Sequence, residues 1–482
     1  MVFASLVFVF VFFVANIITQ ALVPSIKAKN IVMLSFSLVF YAWAGVRYVP
    51  LLLGMTFICW FFALLIDRAK RQQQNAKHWL VACVALCLVI LGIFKYTGFF
   101  LRNVQLLLGF PKVIPNIVLP IGISFYTFQL LSYVVDVYRG DAEVQRKYWL
   151  LLLYAGLFHQ CVAGPIVRYR DVNEDILHRQ VKLSEVSRGI TRFAVGLAKK
   201  AVLANGCAEI VKQTFAIKFD YELTATIVKN TSVTGMWLVV LAFMLQIYLD
   251  FSAYSDMAIG MGLMCGFHYK ENFNYPYVAN TVTDFWRRWH ISLSTFFRDY
   301  VYIPLGGNRV SKGRHILNLF IVWGLTGMWH GAHWNYIFWG LYYFVFLVLE
   351  KYVVKTDRIP RILRHVLTLL IVFFGWAIFK FESMPQLGRA LLGLFGLNGN
   401  AFSNLTSQLA FKNNYLFLIV CMVACTPLIK HLGSMLRNLS GKNTPVLVAY
   451  GFWDALAPVL LLLVSTMALA GDSYNPFLYF QF

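Results

Sequence analysis

The sequence predicts an all-α, polytopic integral membrane protein with about ten to twelve spans. Three observations carry this. Of 482 residues, 59% are hydrophobic, 17% aromatic and only 13% charged, roughly half the charged share of an ordinary soluble protein. Mean hydropathy is +0.65. Apolar runs recur along the chain, each close to the ~20 residues that a helix needs to cross a bilayer. This composition excludes a soluble fold, a disordered chain and a nucleic-acid-binding domain. The net charge of +21 belongs instead to loops facing an anionic membrane surface.

The first run, Val2 to Val23, has no basic segment before it and no small-residue cleavage site, so it reads as a retained span. Lys27 and Lys29 follow, which places the 24–30 turn in the cytoplasm and the N-terminus outside. Runs at 31–46 and 51–66 return the chain to a loop with Arg68, Lys70, Arg71 and Lys77, and the parity closes. Further runs lie at about 79–100, 117–137, 148–165, 234–265, 316–349, 363–383, 414–430 and 447–470. Residues 188–212 form a basic amphipathic pattern expected in the membrane interface, and 351–364 is a basic cytoplasmic stretch. Seven of the eight cysteines, including the i,i+4 pairs Cys83/Cys87 and Cys421/Cys425, sit in or beside apolar runs and read as packing residues rather than as a disulfide framework. No internal repeat or polar insertion interrupts the spans, so residues 1–482 are expected to form one integral domain.

Ionisable groups inside hydrocarbon cost several kcal/mol and call for a reason. Gln246, Asp250 and Tyr254, or Tyr248, Ser252 and Asp256, share a helix face within an otherwise apolar run. Such a stripe either faces a cavity or hydrogen-bonds across a packed bundle. Gly262 and Gly266 suggest close helix packing. From Asp284 onward, Phe285, Trp289, Leu293, Phe296 and Tyr300 make one apolar stripe at helical spacing, while Asp284 can pair with Arg287 and Arg288. This element is too charged to span lipid alone and is expected to be interfacial or re-entrant. Pro304-Leu-Gly306-Gly307-Asn308-Arg309 reads as a turn.

The sharpest point is Gly327-Met-Trp329-His330-Gly331-Ala-His333-Trp334-Asn335, where His330 falls between two apolar runs. A histidine at that depth is either a satisfied core residue or a proton-transfer group, and imidazole suits general-base work near neutral pH. Gly331 leaves room for a substrate, and His333 would lie on the same face one turn later. No third ligand stands near the pair, so no metal is expected. His159, before Gly164-Pro165, reads as structural. No HExxH and no nucleophile elbow occurs.

These residues resemble a known family. Asp284–His290 with Ile291-Ser-Leu-Ser294, Arg298-Asp-Tyr300, Pro304–Arg309 and Met328-Trp-His330-Gly-Ala332 are similar to the bacterial membrane-bound O-acyltransferase (MBOAT) family, of the alginate O-acetyltransferase membrane-subunit type with peptidoglycan and cellulose O-acetylation relatives. Pro120–Tyr126, Asp136–Gly140, Ala163-Gly-Pro165, Lys199-Lys200 and Asp250–Gly260 agree. The resemblance gives a core at about 100–350, with C-terminal helices at 363–470. It implies an MBOAT-like helical bundle with a central funnel or tunnel. It also implies acyl transfer with His330 essential and His290 beside the same tunnel. The acetyl group would come from a cytoplasmic thioester donor, acetyl-CoA or another, with no permanently bound cofactor. It would leave toward an extracytoplasmic SGNH-type O-acetyltransferase partner that modifies a polysaccharide, at the bacterial inner membrane. On that reading Trp329, Trp289 and Trp334 form a dry wall; Asn335, a tyrosine or His290 stabilises the oxyanion; and Arg287 and Arg288, or the 166–200 loop, attract the donor's phosphates. Asp250 and Tyr254 belong to the polar stripe of the passage. A transporter or flippase with a polar pathway, or a silent scaffold for a secreted acetyltransferase, remain the alternatives.

Overall fold

The computed structural model describes residues 2–109, 115, 117–161, 164–217, 222–440, 444–471 and 477–478. Ala163, part of one of the motifs above, lies outside them. All regular structure among the described residues is helical. Five helical stretches are long and apolar enough to cross a membrane alone: Ile26–Arg71, Lys77–Leu108, Val233–Met264, Arg361–Lys380 and Pro445–Ala470. The helices Leu405–Ala424 and Leu428–Leu439, bent by 62° at their break, pass that test only when taken together. Shorter helices, and helices with polar faces, pack among them. The protein is a multi-pass membrane protein.

Val233–Met264 is the central element. Its most apolar window is 78% buried, against 6% for Pro445–Ala470 at the periphery. Ser232 caps its start, its side chain accepting from the Gly235 amide at 3.2 Å. The 188–212 segment departs from expectation. It does not lie along the interface but forms a helix, Leu183–Ala198, continued through a π turn, Lys199–Ala204, into Asn205–Phe215. This helix runs antiparallel along the central one. Gly189 meets Gly260 so closely that a Cβ on either would stand 2.7 Å from the other's carbonyl oxygen. Its basic residues are neutralised by the central helix: Lys200 pairs with Asp250 at 2.7 Å, and Lys199 and Arg192 with Asp256, each at 2.7 Å. The polar stripe therefore joins two helices by ion pairs, which is the bundle-bonding reading. Gly262 is a close approach to the Tyr269 ring, whereas Gly266 (φ +79°) turns the chain out of the helix.

The stripe from Phe285 to Tyr300 is broken into three pieces: Val282–Arg288, Ile291–Phe297 and a π turn at Arg298–Tyr302. The break falls at Trp289, which is extended, and His290, whose φ is +43°. The first piece is held at its N-terminus by Thr281 and by the Glu350 carboxylate, which accepts from the amides of Val282 (2.7 Å) and Thr283 (3.2 Å). The helix Lys312–His330 then rises to the second histidine and Trp334–Tyr352 returns beside it. Buried side chains form two clusters: Trp329 belongs to one, Trp289 and Trp339 to the other. The two histidines lie at this seam.

Candidate active site

His290 is 3% exposed and sits where one short helix ends and the next begins. Its left-handed backbone is uncommon for a non-glycine residue and marks a locally strained position. The strain is tied to a cap: its Nδ1 accepts a hydrogen bond from the Leu293 amide at 3.4 Å. His330 is the last residue of its helix and is 7% exposed. Its ring stands edge-on to Trp329, Trp339 and Phe379, at centroid distances of 5.0, 4.9 and 5.4 Å. Neither of its ring nitrogens is hydrogen-bonded to a described residue. His290 meets the same Trp329 indole at 5.9 Å, so both imidazoles pack on one tryptophan.

A cavity of about 420 Å³ leads to this seam, lined among others by Arg287, Arg298, Tyr302, Trp323, Thr326 and His290. Arg287 and Arg298 are exposed and His290 is buried, so the cavity passes from charge to a closed aromatic end. It follows the histidine helix from Leu319 to Thr326, about 10 Å at 1.5 Å per residue. His330 does not line it; the ring lies one turn beyond Thr326 behind an aromatic wall. On the other side of His290 is a cavity of about 10 Å³, bounded by Asp250, Tyr254, Asn272 and Phe477, room for about one water. His290 thus touches both spaces.

The expected site residues separate into groups. Trp329 touches both histidines, while Trp289, 3% exposed, packs on Phe285 and Trp376. Trp334 is not part of the wall: it is 44% exposed, stacks on Phe338 and donates to Asn103 at 2.9 Å. Arg288 is engaged by Asp284 at 2.8 Å, leaving Arg287 as the arginine that faces the cavity with no carboxylate partner among the described residues. Asn335 is fully buried and its amide donates to the carbonyls of Phe379 (3.0 Å) and Ile378 (3.4 Å), a clamp between two helices. Asp250 and Tyr254 line the small cavity, and the Tyr254 ring fills the space a Cβ on Gly164 would need. His333 is not on His330's face. Gly331 is extended and ends the helix, the Tyr336 ring lies where its Cβ would be, and the His333 Nε2 sits 4.0 Å from Glu382. His159 is a core residue bonded to the Tyr269 hydroxyl at 3.2 Å. The sulfurs of Cys59, Cys83 and Cys87 lie within 4.8 Å of one another in the core.

Two features of the seam escape the sequence argument. Lys95, 9% exposed, donates to the Trp329 carbonyl and, at 3.4 Å, to Ser124 Oγ. An ionisable residue in the middle of the 79–100 run was itself the signal. Phe477 and Leu478 also fold back to Asp250 and Tyr254, which no local pattern announces.

Known proteins agree with this architecture. The family model described as MBOAT, membrane-bound O-acyltransferase family, matches residues 150–379. The chain is 35% identical to a probable alginate O-acetylase AlgI of Azotobacter vinelandii, covering all of both chains. It is 30% identical to a peptidoglycan O-acetyltransferase of Helicobacter pylori, over 100% of this chain and 98% of that one. Identity to a teichoic acid D-alanyltransferase of Bacillus subtilis is 27%, over 68% and 85% of the two chains. With all-helical architecture, a dry seam holding two histidines and full-length relatives of this kind, the chain belongs to the membrane-bound O-acyltransferase family and is an O-acyltransferase.

Proposed function

We propose that this protein takes an acetyl group from a cytoplasmic acyl thioester, acetyl-CoA in the simplest case, and passes it across the bacterial inner membrane for O-acetylation of an extracytoplasmic polysaccharide. The observation that carries the reading is the 420 Å³ cavity lined by exposed Arg287 and Arg298, by buried His290 and by Thr326, which lies one helical turn before His330. Guanidinium groups suit a phosphorylated donor, and an aromatic end excludes the water that would hydrolyse a thioester.

Sidedness rests on charge. Lys312 lies over the Tyr352 ring at 5.0 Å, so the start of one site helix and the end of the next share one face with Arg309, Arg314 and Lys351. By the positive-inside rule that face is cytoplasmic, as are the 24–30 and 67–77 turns, which puts the N-terminus outside. His330 then lies toward the far side, where an SGNH-type partner would receive the acetyl group.

His330 acts as base or as transient acyl acceptor. In either form the thioester C–S bond breaks and the thiolate leaves with a proton. As base, the imidazole takes the proton of the acceptor hydroxyl as its C–O bond forms and returns it to the thiolate. As acceptor, a ring nitrogen forms the C–N bond while the ring N–H proton goes to the leaving thiolate; in a second step the hydroxyl oxygen takes the acetyl group as the C–N bond breaks, and its proton returns to the ring. Neither ring nitrogen of His330 is bonded to a described residue, which leaves both available for either role.

The test is His330→Ala at matched membrane level, reconstituted with labelled acetyl-CoA and the partner. Acetyl transfer is expected to fall about 10²–10⁴-fold with partner recruitment unchanged. Normal transfer would remove His330 from the chemistry, and lost recruitment would favour a scaffold.

A further inference from the structure

The backbone around His290 decides which of its two ring nitrogens carries the proton. The Leu293 amide points at Nδ1 from 3.4 Å. An amide N–H can only donate, so Nδ1 accepts and in the neutral ring is unprotonated. The other neighbour of Nδ1 is the Ser292 hydroxyl at 3.5 Å, but that hydroxyl lies 2.9 Å from the Asn272 side-chain oxygen, to which it donates. The single ring proton therefore resides on Nε2, which has no hydrogen-bond partner among the described residues. His290 lines the closed end of the 420 Å³ cavity.

We infer that His290 is the oxyanion donor of the acyl transfer, held as its Nε2–H tautomer because its Nδ1 caps the helix Ile291–Phe297. The inference rests on the acyl-transfer reading and goes further by dividing the work between the two histidines. When the nucleophile adds to the thioester carbonyl, the C=O π electrons move onto oxygen. The Nε2–H then donates a hydrogen bond to that oxygen without transferring its proton, and the electron pair re-forms the C=O bond as the C–S bond breaks and the thiolate carries the charge away. His330, with both nitrogens open, is left for the base or acceptor role.

The indole N–H groups of Trp286 and Trp339 are fully buried and have no partner among the described residues, and three further donors near the seam are occupied. The Asn335 amide is bonded to the carbonyls of residues 378 and 379. The Thr326 hydroxyl donates to the Val322 carbonyl at 2.8 Å, and the Lys95 ammonium to the Trp329 carbonyl. The left-handed φ of His290 fits the same account: strain is tolerated where surrounding structure fixes a functional group, and it aims a side chain into the cavity while that chain also caps the next helix.

Two substitutions separate capping from donation. Asn and Asp both adopt the left-handed conformation readily and both cap helices, but only Asn retains an N–H. His290→Asn is expected to keep more of kcat than His290→Asp. His290→Asp, with fold and donor KM unchanged, is expected to lose about 10²–10³-fold in kcat, the cost of removing one oxyanion donor. A second measurement does not depend on turnover: in ¹⁵N-histidine-labelled protein, the pair of ring resonances absent from His290→Asn should show a protonated Nε2 and an unprotonated Nδ1. Equal activities of the Asn and Asp variants, or a protonated Nδ1 in the neutral ring, would overturn the inference. His330→Ala run in parallel tells the two failures apart: loss of transfer there with equal Asn and Asp variants sinks only the tautomer argument, whereas retained transfer there sinks the acyl-transfer reading beneath it.

Discussion

The Lys95 ammonium donates to the main-chain carbonyl of Trp329, the residue immediately before His330. It also lies over the Trp329 ring, 5.7 Å from its centroid, and no carboxylate among the described residues is within ion-pair distance. A cation in such surroundings is expensive unless its protons are used. Here they serve the last turn of the histidine helix, whose carbonyls have no intrahelical donors. Lys95 thereby ties the helix Lys77–Leu108 to the end that presents His330.

It follows that Lys95 is a positioning residue. Lys95→Met should lower kcat by about 10²-fold, the scale of an ångström-level misplacement of a catalytic group, while the KM for the acyl donor stays unchanged. Lys95→Arg should recover part of the loss, since a guanidinium can still reach a carbonyl. A radiolabelled transfer assay at several donor concentrations separates kcat from KM; a pure KM effect would mean that Lys95 touches the donor instead.

Arg287 and Arg298 lead to the opposite split. Both are exposed beside the cavity, so on the proposed reading their charge would act on a phosphorylated donor before chemistry begins. Arg287→Ala and Arg298→Ala are each expected to raise donor KM several-fold, with little change in kcat, and the increase should shrink as salt rises through the screening range. Arg298 also bonds to Asp299 at 2.7 Å, so Arg287, with no such partner, should show the larger effect. Arg288→Ala serves as control, because its guanidinium is held by Asp284. Unchanged donor KM at low salt in both variants would move the donor site elsewhere.

Much of this was legible in sequence, and the residues show why the rest was not. The apolar runs flanking His330 marked it as a buried group at a span boundary. The cost of a carboxylate in hydrocarbon marked Asp250 and Asp256. What failed was whatever depended on a partner distant in sequence or on one backbone angle. The bases at 192, 199 and 200 looked like a membrane-surface face because the acids that neutralise them lie fifty or more residues away. The apolar stripe from Phe285 to Tyr300 fits a single helix by period alone, since nothing in composition signals a left-handed angle at a histidine. His333 was misplaced for the same reason, one extended residue at Gly331.

The last prediction concerns the buried pair between the central helices. Lys200 and Asp250 are 4% and 1% exposed and 2.7 Å apart. The second Asp250 oxygen accepts from the Leu478 amide at 2.8 Å. Phe477, 1% exposed, lies under the Lys200 ammonium at 4.8 Å and edge-on to Tyr254 at 5.0 Å. One carboxylate therefore holds a helix and a returning segment together beside the cavity that His290 lines. Asp250→Asn would strip the ammonium of its counter-charge inside the bundle, where breaking a buried pair costs about 3–5 kcal/mol, so the detergent-solubilised protein should melt at lower temperature. Asp250→Asn with Lys200→Met should recover most of that stability, since two neutral groups need no pairing. Phe477→Ala should behave differently: a thermal shift smaller than that of Asp250→Asn, but reduced acetyl transfer, because the aromatic wall opposite His290 is opened to water. Thermal melts and labelled-acetyl transfer on the same preparations give both readouts. If Phe477→Ala melts early and keeps full activity per folded molecule, the returning segment is only a staple and has no part in closing the site.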